Sequence, residues 1–521
     1  MKSIITTLFI FLFCFPAIAQ LEYKDVAPIF FNKCTPCHRP NGGAPFSLMG
    51  YSATIPWVSL IDPAVQMGKM PPWMPDTTYT RFLHERVLTA GEKNAILNWI
   101  STGATQGDTT QAPPLPTYPP YQLNGIPSLV LQIPTFTSNA TTNDSYVCFS
   151  LPTNLTQDRI LRAFEIVPGD PSIVHHVVVN VDTVGNTTND LSGNCFNAPG
   201  NFSIGAYAPG SPPTVFPGVA PLKAGIRIKA GSRMVLQIHY PAGSAGMQDS
   251  TKIRLYFYPV NATGVRNMYV STPLQNWSLS IPANTTASFS AQYPNSGGIP
   301  LPISIYGTFP HSHKICTKIV NYAFIPGDTI PIIRINDWDF DWQGFYTLPF
   351  LKKIPAGYKL FARHWYDNTS SNPHNPNNPP INVFAGTGSN DEMLFDAFQY
   401  LIYNPGDENI NIGNLLAGDS LLAGIATPWQ DPSPYSFAFP NPFSHQVSVS
   451  FNVSRPSPVR LEVFNAHGQR IYIREEKSLP AGNFEWTINP AKGNDWPSGL
   501  YFYQVTQSGQ KASGKIIRTG Q

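Results

Sequence analysis

The chain has 521 residues, a formal net charge of +2 at pH 7 and only 12% charged residues. This balance of charge, with no basic stripe, argues against a nucleic-acid-binding protein. The 53 prolines and 39 glycines punctuate short runs rich in Val, Ile, Tyr and Phe, which predicts mostly β structure. A chain of this length corresponds to about three or four domains.

The first 19 residues have the three parts of a secretory signal peptide. Lys2 gives the positive start, residues 4–15 the apolar stretch, and Ala17-Ile18-Ala19 the cleavage site. The apolar stretch is shorter than the roughly 20 residues that a membrane-spanning helix needs. We therefore predict an exported protein with no transmembrane span, in which disulfides can form.

Residues 21–107 are predicted to form a small helical domain. Residues 90–102 place apolar side chains at helical spacing and stop at Gly103. A Pro- and Thr-rich stretch, residues 108–123, reads as a stiff extended linker.

This helical domain carries a CxxCH motif, Cys34-Thr35-Pro36-Cys37-His38. In such a motif two thiols bond covalently to haem and the adjacent His ligates its iron, although CxxC alone is also compatible with a disulfide or half a zinc site. Residues 21–107 resemble the small cytochrome c family, which implies one covalent haem c with His38 as proximal ligand. Three methionines compete for the distal position, and we favour the one on the Pro-rich loop, Met70, over Met67 and Met74.

Strands are predicted to predominate from residue 124 onward. A break near residues 262–285 divides this part into two β subdomains, 124–262 and 263–427. A short linker at residues 428–434 precedes the last predicted unit, residues 436–521, in which Val459 to Phe464 alternate between apolar and charged side chains.

Six candidate metal ligands occur in a fixed order across the two β subdomains. The first set contains three imidazoles and the second contains two imidazoles and a thioether. Imidazole suits several metals, but a thioether selects copper that passes through Cu(I). The sets are His175, His176 and His239, then His311, His313 and Met393.

The spacing within these sets makes structural predictions. His311 and His313 would share one face of a strand, so both could reach one ion. His175 and His176 are adjacent, so on a strand the backbone must bulge or the rings must reach back.

Residues 124 to about 425 resemble the copper type II, ascorbate-dependent monooxygenases, the family of peptidylglycine and dopamine beta monooxygenases. The resemblance implies two coppers: an electron-transfer copper on the first set and an oxygen-binding copper on the second. It also implies roles for Gln237, at a position between the coppers, and Tyr146, close to the first copper. It further implies a disulfide between Cys148 and Cys195, which leaves Cys316 as an odd thiol.

The chain departs from this family at two positions. Phe309 stands where the peptide-hydroxylating branch has an Arg that clamps the substrate carboxylate, and Leu394 stands where the family has a Cys. A peptide C-terminus is therefore a doubtful substrate. Residues 338–342, rich in aromatics, are interpreted as a core strand, with a substrate cleft as the alternative, and His364 is interpreted as structural.

The last 80 residues carry a third resemblance. Residues 439–443 (FPNPF), residues 463–469, residues 479–482 and residues 497–501 come in the order typical of the type A C-terminal sorting domain of the type IX secretion system. This implies contact with that secretion machinery and a secreted or cell-surface protein. The alternative is a carbohydrate-binding or adhesion sandwich.

The sequence thus predicts a small all-α cytochrome c domain, two all-β jelly-roll-like sandwich subdomains and a C-terminal β-sandwich. The predicted activity is hydroxylation of a C–H bond in a small organic substrate with O₂, using two copper ions. Electrons would come from an ascorbate-like or redox-protein donor, with the haem as a relay. The alternative is a non-enzymatic haem and copper protein that transfers electrons or binds copper.

Overall fold

The computed structural model describes residues 20–40, 42–118, 121–196, 198–422, 436–439, 441–453, 457–480, 482–490, 496–507 and 510–519. The predicted signal peptide and the linker at residues 428–434 lie outside these ranges. Strands predominate and helices are few, as the composition predicts. None of the helices in the described ranges is long and apolar enough to cross a membrane.

The N-terminal unit is helical and packs around aromatic side chains. Phe30 meets Trp99 edge to face, with ring centroids 5.8 Å apart. The last helix begins with a capping box between Thr89 and Glu92, and it gives way to Gly103, whose φ of +101° suits a glycine. The helices are α1 (Tyr23–Lys33), α2 (Tyr51–Thr54), α3 (Val58–Gln66) and α4 (Ala90–Ser101), with 3-10 turns at Ile55–Trp57 and Thr109–Gln111.

The first β unit is a sandwich whose core draws on both of its main sheets. One sheet runs β1-β12-β4-β9-β13, with β7 beside β4 and β8 beside β9; the other runs β3-β10-β5-β6, and β2 pairs with β11. Leu161 from one sheet and Leu236 from the other lie in a single buried cluster. The strands are β1 (Leu129–Gln132), β2 (Phe136–Thr137), β3 (Ser145–Pro152), β4 (Arg159–Val167), β5 (His176–Asp182), β6 (Phe202–Tyr207), β7 (Thr214–Val215), β8 (Gly218–Val219), β9 (Leu222–Ile228), β10 (Arg233–Tyr240), β11 (Gln248–Asp249), β12 (Lys252–Phe257) and β13 (Val265–Asn267).

The second β unit repeats this plan with its own core. Its sheets run β14-β23-β17-β20 and β16-β21-β18-β19, and β15 pairs with β22. Ile305 and Ile319 come from different sheets and share one buried cluster. The strands are β14 (Tyr269–Gln275), β15 (Ser280–Ile281), β16 (Thr286–Tyr293), β17 (Ile303–Phe309), β18 (Cys316–Ile325), β19 (Asp328–Ile335), β20 (Tyr346–Ile354), β21 (Lys359–Asp367), β22 (Val383–Phe384) and β23 (Phe395–Ile402), followed by the helix α5 (Ile412–Ala417).

The C-terminal unit is a third, smaller pair of sheets. Val459, Leu461 and Val463 are buried while Arg460 points outward, so the predicted alternation is confirmed. The sheets run β24-β25-β28 and β27-β26-β29-β30. The strands are β24 (Ser436–Phe439), β25 (Val447–Val453), β26 (Ser457–Asn465), β27 (Arg470–Leu479), β28 (Gly482–Ile488), β29 (Gly499–Gln507) and β30 (Gln510–Arg518).

The segment between α3 and α4, residues 67–89, joins the helical unit to the second β unit. Asp76 Oδ2 accepts hydrogen bonds from Arg334 Nε at 2.9 Å and Nη2 at 2.7 Å. The Leu83 amide donates to the Thr347 carbonyl at 2.8 Å. Specific polar contacts therefore anchor the helical unit to the β structure, in addition to the covalent connection through its linker.

Candidate metal centres

The first histidine set converges at one end of β10. His239 lies on β10 opposite His176, the first residue of β5, and the His175 amide donates to the His239 carbonyl at 3.0 Å. His175 precedes the strand, so the strand geometry that points adjacent side chains to opposite faces does not apply to it. The register shift in β5 falls farther along, between Val179 and Asn180, so no bulge is needed at the pair itself.

The three imidazoles present their Nδ1 atoms to one point. The Nδ1 of His239 lies 3.1 Å from that of His175 and 3.2 Å from that of His176, and the remaining pair is 3.4 Å apart. In a neutral imidazole a given ring nitrogen either donates or accepts, so three nitrogens in a triangle cannot satisfy all three contacts. A metal ion held at about 2.0 Å by tetrahedral nitrogens separates them by about 3.3 Å, so the cluster fits a metal.

The surroundings of this set lower the pKa of two imidazoles and contact the third. Burial lowers the pKa of both His175 and His176, which favours the form that binds metal. His239 Nε2 lies 3.1 Å from Asp144 Oδ2, and this contact lowers the pKa of Asp144 to about 2. Tyr146 stacks on His239 with ring centroids 4.4 Å apart and an angle of 5°. Asp144 occupies the outer position from which a carboxylate typically orients a ligating His.

The second histidine pair lies in the loop after β17, which ends at Phe309. The prediction that His311 and His313 share a strand face is therefore wrong. The loop turns the two rings nearly perpendicular, at 85°, with centroids 5.2 Å apart. Side chains from distant segments hold the two rings in place. The periodicity of the local sequence therefore could not predict this arrangement.

Each ring of this pair uses Nδ1 for a protein contact. His311 Nδ1 lies 2.5 Å from Gln343 Oε1, whose own amide nitrogen donates to the Phe340 carbonyl at 2.9 Å. His313 Nδ1 lies 3.1 Å from the Asp391 carbonyl oxygen. Both partners are acceptors, so both Nδ1 atoms carry the proton and Nε2 remains as the ligand atom.

The buried carboxylate of Glu392 joins the histidine loop to the methionine. It accepts hydrogen bonds from the amides of His313 at 2.9 Å, Ile315 at 2.8 Å and Met393 at 3.1 Å. Ser312 Oγ also contacts it at 3.1 Å and donates to the Met393 carbonyl at 2.6 Å. Burial raises the pKa of Glu392 to about 7. The fold therefore brings Met393, which is half-buried, beside the loop of His311 and His313.

The two histidine sets lie close enough for groups of one β unit to act on the pKa of groups in the other. The pKa of His176 is lowered first by burial, then by the neighbouring imidazoles of its own set and by His311 from the second unit. Asp341, also from the second unit, acts on the pKa of both His175 and Tyr146 in the first.

The remaining predicted residues lie close to these centres or within the core. Gln237 is buried two residues before His239, and its amide donates to the Cys195 carbonyl at 2.5 Å. The predicted disulfide between Cys148 and Cys195 is confirmed, and Cys316 is a buried free thiol. His364 is buried, with Nε2 3.0 Å from Asp396 Oδ2, in agreement with a structural role.

The aromatic segment at residues 338–342 contradicts its interpretation as a core strand. It is a loop with a 3-10 turn at Phe340–Trp342. Trp338 is buried, and its indole donates to the His313 carbonyl at 3.0 Å. Phe340 meets the His313 ring edge-on at 5.8 Å. The segment therefore belongs to the second centre.

The CxxCH motif lies at the end of α1 with its two cysteines unpaired. Burial raises the pKa of the Cys34 thiol to about 12 and raises that of Cys37 as well. His38 Nδ1 lies 3.1 Å from the Phe46 carbonyl, which leaves Nε2 free to ligate iron. Two free thiols and a neutral His with a fixed tautomer fit covalent haem attachment.

The three candidate distal methionines have different surroundings. Met67 is 68% exposed, so it faces solvent. The Met74 sulfur accepts a hydrogen bond from the Asp339 amide at 3.2 Å, so it faces the second β unit. Met70 is half-buried between them, in the segment that follows α3. Met70 as the distal ligand stays a prediction.

Sequence reasoning missed Asp144, Gln343 and Glu392. Glu392 could have been found from its position beside Met393, because a carboxylate next to a metal ligand inside the protein needs hydrogen-bond donors. Gln343 and Asp144 have no local signal, since they lie far along the chain from the imidazoles that they contact.

Comparison with known proteins assigns the C-terminal unit. Residues 438–519 match a family model described as a secretion system C-terminal sorting domain. No curated protein matches the chain. Among solved structures, β-glucuronidases of Parabacteroides merdae (9% identity, 45% of this chain, 27% of that one, TM-score 0.13), Dictyoglomus thermophilum (9%, 50%, 44%, 0.14) and Ruminococcus gnavus (11%, 50%, 44%, 0.14) are similar in part.

This chain spans less than half the length of those enzymes, and TM-scores this low carry no argument about fold or activity. The sorting domain carries a firm conclusion: the protein is exported through the type IX secretion system to the cell surface or beyond.

Proposed function

We propose that this chain is an exported copper-dependent monooxygenase that hydroxylates a C–H bond of a small organic molecule. The observation that carries the proposal is the pair of histidine sets. One has three converging Nδ1 atoms, and the other has two imidazoles whose Nδ1 atoms contact acceptors, in a loop held beside the backbone of Met393. The thioether favours copper over zinc at the second set.

The reaction consumes O₂, two electrons and two protons; one oxygen atom enters the product as a hydroxyl and the other leaves as water. Copper bound at the two sets would supply one electron each and activate O₂ at the second. His175, His176 and His239 would hold the first ion and His311, His313 and Met393 the second.

The protein's own residues prepare the second set for this chemistry. Gln343 and the Asp391 carbonyl hold the two imidazoles in the tautomer that leaves Nε2 available. Glu392 fixes the backbone of His313 and Met393 relative to each other. Preorganised ligands need little rearrangement on binding, which favours a defined coordination sphere.

We also propose that haem bound at Cys34, Cys37 and His38 relays electrons to the first set. Cys37 Sγ lies 3.4 Å from the Pro209 carbonyl. Pro209 is two residues beyond Tyr207, which pairs with Val177, the neighbour of His176. One side-chain contact, a short run of backbone and one strand pairing thus connect the CxxCH motif to the first histidine set. Gly210 has a φ of +80°, and a Cβ there would lie 2.2 Å from Cys37 Sγ, so this close approach requires glycine.

The test is metal and haem stoichiometry together with oxygen uptake by the purified protein, with ascorbate and a panel of small substrates. We expect two coppers, one haem and substrate-dependent uptake. Met393→Ala should lose that uptake, whereas Met247→Ala, at an exposed methionine, should keep it. Full metal content with no uptake on any substrate would favour the alternative of a non-enzymatic electron-transfer or copper-binding protein.

The relay is tested separately with His38→Ala. We expect ascorbate-driven turnover to persist while reduction of the first copper by a haem-specific donor protein slows at least tenfold. An unchanged rate of copper reduction would refute the relay and leave the monooxygenase proposal intact.

A further inference from the structure

The second histidine pair is bordered by phenylalanine rings. Phe309 lies parallel to His311, with centroids 6.0 Å apart and an angle of 10°. Its ring also stacks on Phe345 at 4.9 Å and 28°. Phe395 meets His311 edge-on at 6.2 Å, and Phe340 meets His313 edge-on at 5.8 Å.

These rings come from three separate segments of the second β unit. Phe309 ends β17, Phe340 and Phe345 belong to the loop before β20, and Phe395 begins β23. All four are half-buried, so each retains surface that a bound molecule could cover. Rings gathered from separate segments around one pair of imidazoles form a wall, which we name the phenylalanine wall.

The wall contacts the same two imidazoles that form the second set. Nδ1 of both rings is occupied by Gln343 and the Asp391 carbonyl. The rings of Phe309 and Phe340 lie against these imidazoles, so a molecule bound at this centre would also meet the wall. The wall would therefore contribute to the selection of the molecules that bind there.

The charged groups next to the wall carry opposite signs. Asp341, beside Phe340, is acidic and exposed, and Lys314, beside His313, is basic, with its ammonium 3.3 Å from Asn390 Oδ1. An ion of either sign placed against the rings would lose its hydration, and one of these two groups would repel it. This balance favours a neutral molecule over both an anion and a cation.

We propose that the substrate oxidised at the second set is an uncharged molecule that presents an apolar, ring-sized group to the phenylalanine wall, with Phe309 and Phe345 as specificity residues. This inference rests on the proposed function. Stacked and edge-on aromatic contacts favour such a group beyond the burial of its area. Specificity then arises from exclusion of charged analogues as much as from attraction.

The experiment compares three probes of similar size: 2-phenylethanol, phenylacetate and 2-phenylethylamine. Binding is measured by ligand-observed NMR titration of the full-length protein, both metal-free and copper-loaded. We expect 2-phenylethanol to bind at least tenfold more tightly than either charged probe, about 1.4 kcal/mol. Phe309→Arg should reverse the preference between 2-phenylethanol and phenylacetate, whereas Phe350→Arg, at an exposed ring, should leave it unchanged.

Each other outcome overturns the inference. If phenylacetate binds most tightly, a cationic side chain contacts the bound carboxylate. If 2-phenylethylamine binds most tightly, the specificity comes from Asp341. Binding of none of the probes would also refute it. If Phe309→Arg fails to fold, Phe309→Leu decides: it should weaken 2-phenylethanol binding severalfold, and an unchanged affinity contradicts the role of the ring.

Failure of the inference is distinguishable from failure of the proposed function. Copper content is determined on the same samples, and fewer than two coppers per chain refutes the function without any reference to the probes. Because binding is also measured in the metal-free protein, the preference for the neutral probe is obtained in either case.

Discussion

The carboxylate of Glu392 provides the sharpest test of how the second centre is built. Its side chain is fully buried, and it accepts hydrogen bonds from three backbone amides of the two loops that carry His313 and Met393. We predict that Glu392→Ala separates these loops. The reason is that the substitution leaves three buried N–H groups without an acceptor.

The size of the effect follows from the three amides that lose their acceptor. A buried N–H group left unsatisfied costs about 1–3 kcal/mol, so three of them cost roughly 3–9 kcal/mol. The pKa of the carboxyl group, raised from 4.5 to about 7, is the balance between burial, which raises it, and these hydrogen bonds, which lower it. We therefore expect Glu392→Ala to lower the free energy of unfolding by roughly 3–9 kcal/mol.

The assay is thermal unfolding of the intact protein together with its copper content. Glu392→Ala should lower the midpoint of the transition assigned to the second β unit and reduce copper from two ions to one per chain. Glu408→Ala, at an exposed carboxylate, is the control and should change neither. If the two variants have the same midpoint and the same copper content, the reasoning about Glu392 is wrong.

Three further predictions concern other parts of the molecule. Gln343→Leu removes the acceptor of His311 Nδ1, so copper affinity at the second set should fall roughly 10- to 100-fold in a chelator competition titration; an equal loss at both sets would contradict this. Asp76→Ala breaks the double contact with Arg334, so limited proteolysis between α3 and α4 should become faster, and an unchanged cleavage rate would argue against anchoring. Burial lowers the pKa of Lys352 from 10.5 to about 8. Between these two pH values the unfolded chain binds more protons than the folded chain, so the contribution of this group to stability rises with pH across that window. Lys352→Met should therefore raise the unfolding midpoint at pH 7, with the gain shrinking above pH 8 and vanishing near pH 10.5; a gain independent of pH would refute the assignment.

The strands and helices were predictable where a local pattern repeats. The alternation in β26 and the capping box of α4 are encoded within a few residues, so each has a signal in the local sequence. The HxH prediction failed because it assumed that a strand period continues past Phe309. In the structure the strand ends there, and the histidine loop is held by side chains that lie 32 and 79 residues away in sequence.

The sequence by itself determined which groups this protein offers: the candidate ligand types, their order, the paired cysteines and the sorting domain. Those properties reside in single side chains and short motifs, so they can be recognised without knowledge of the fold. The tertiary structure decided how these groups are used, because Gln343, Asp144 and Glu392 reach the imidazoles and loops only after distant segments pack together. It also surrounded His311 and His313 with phenylalanine rings, since only packing brings rings from three separate segments to one centre.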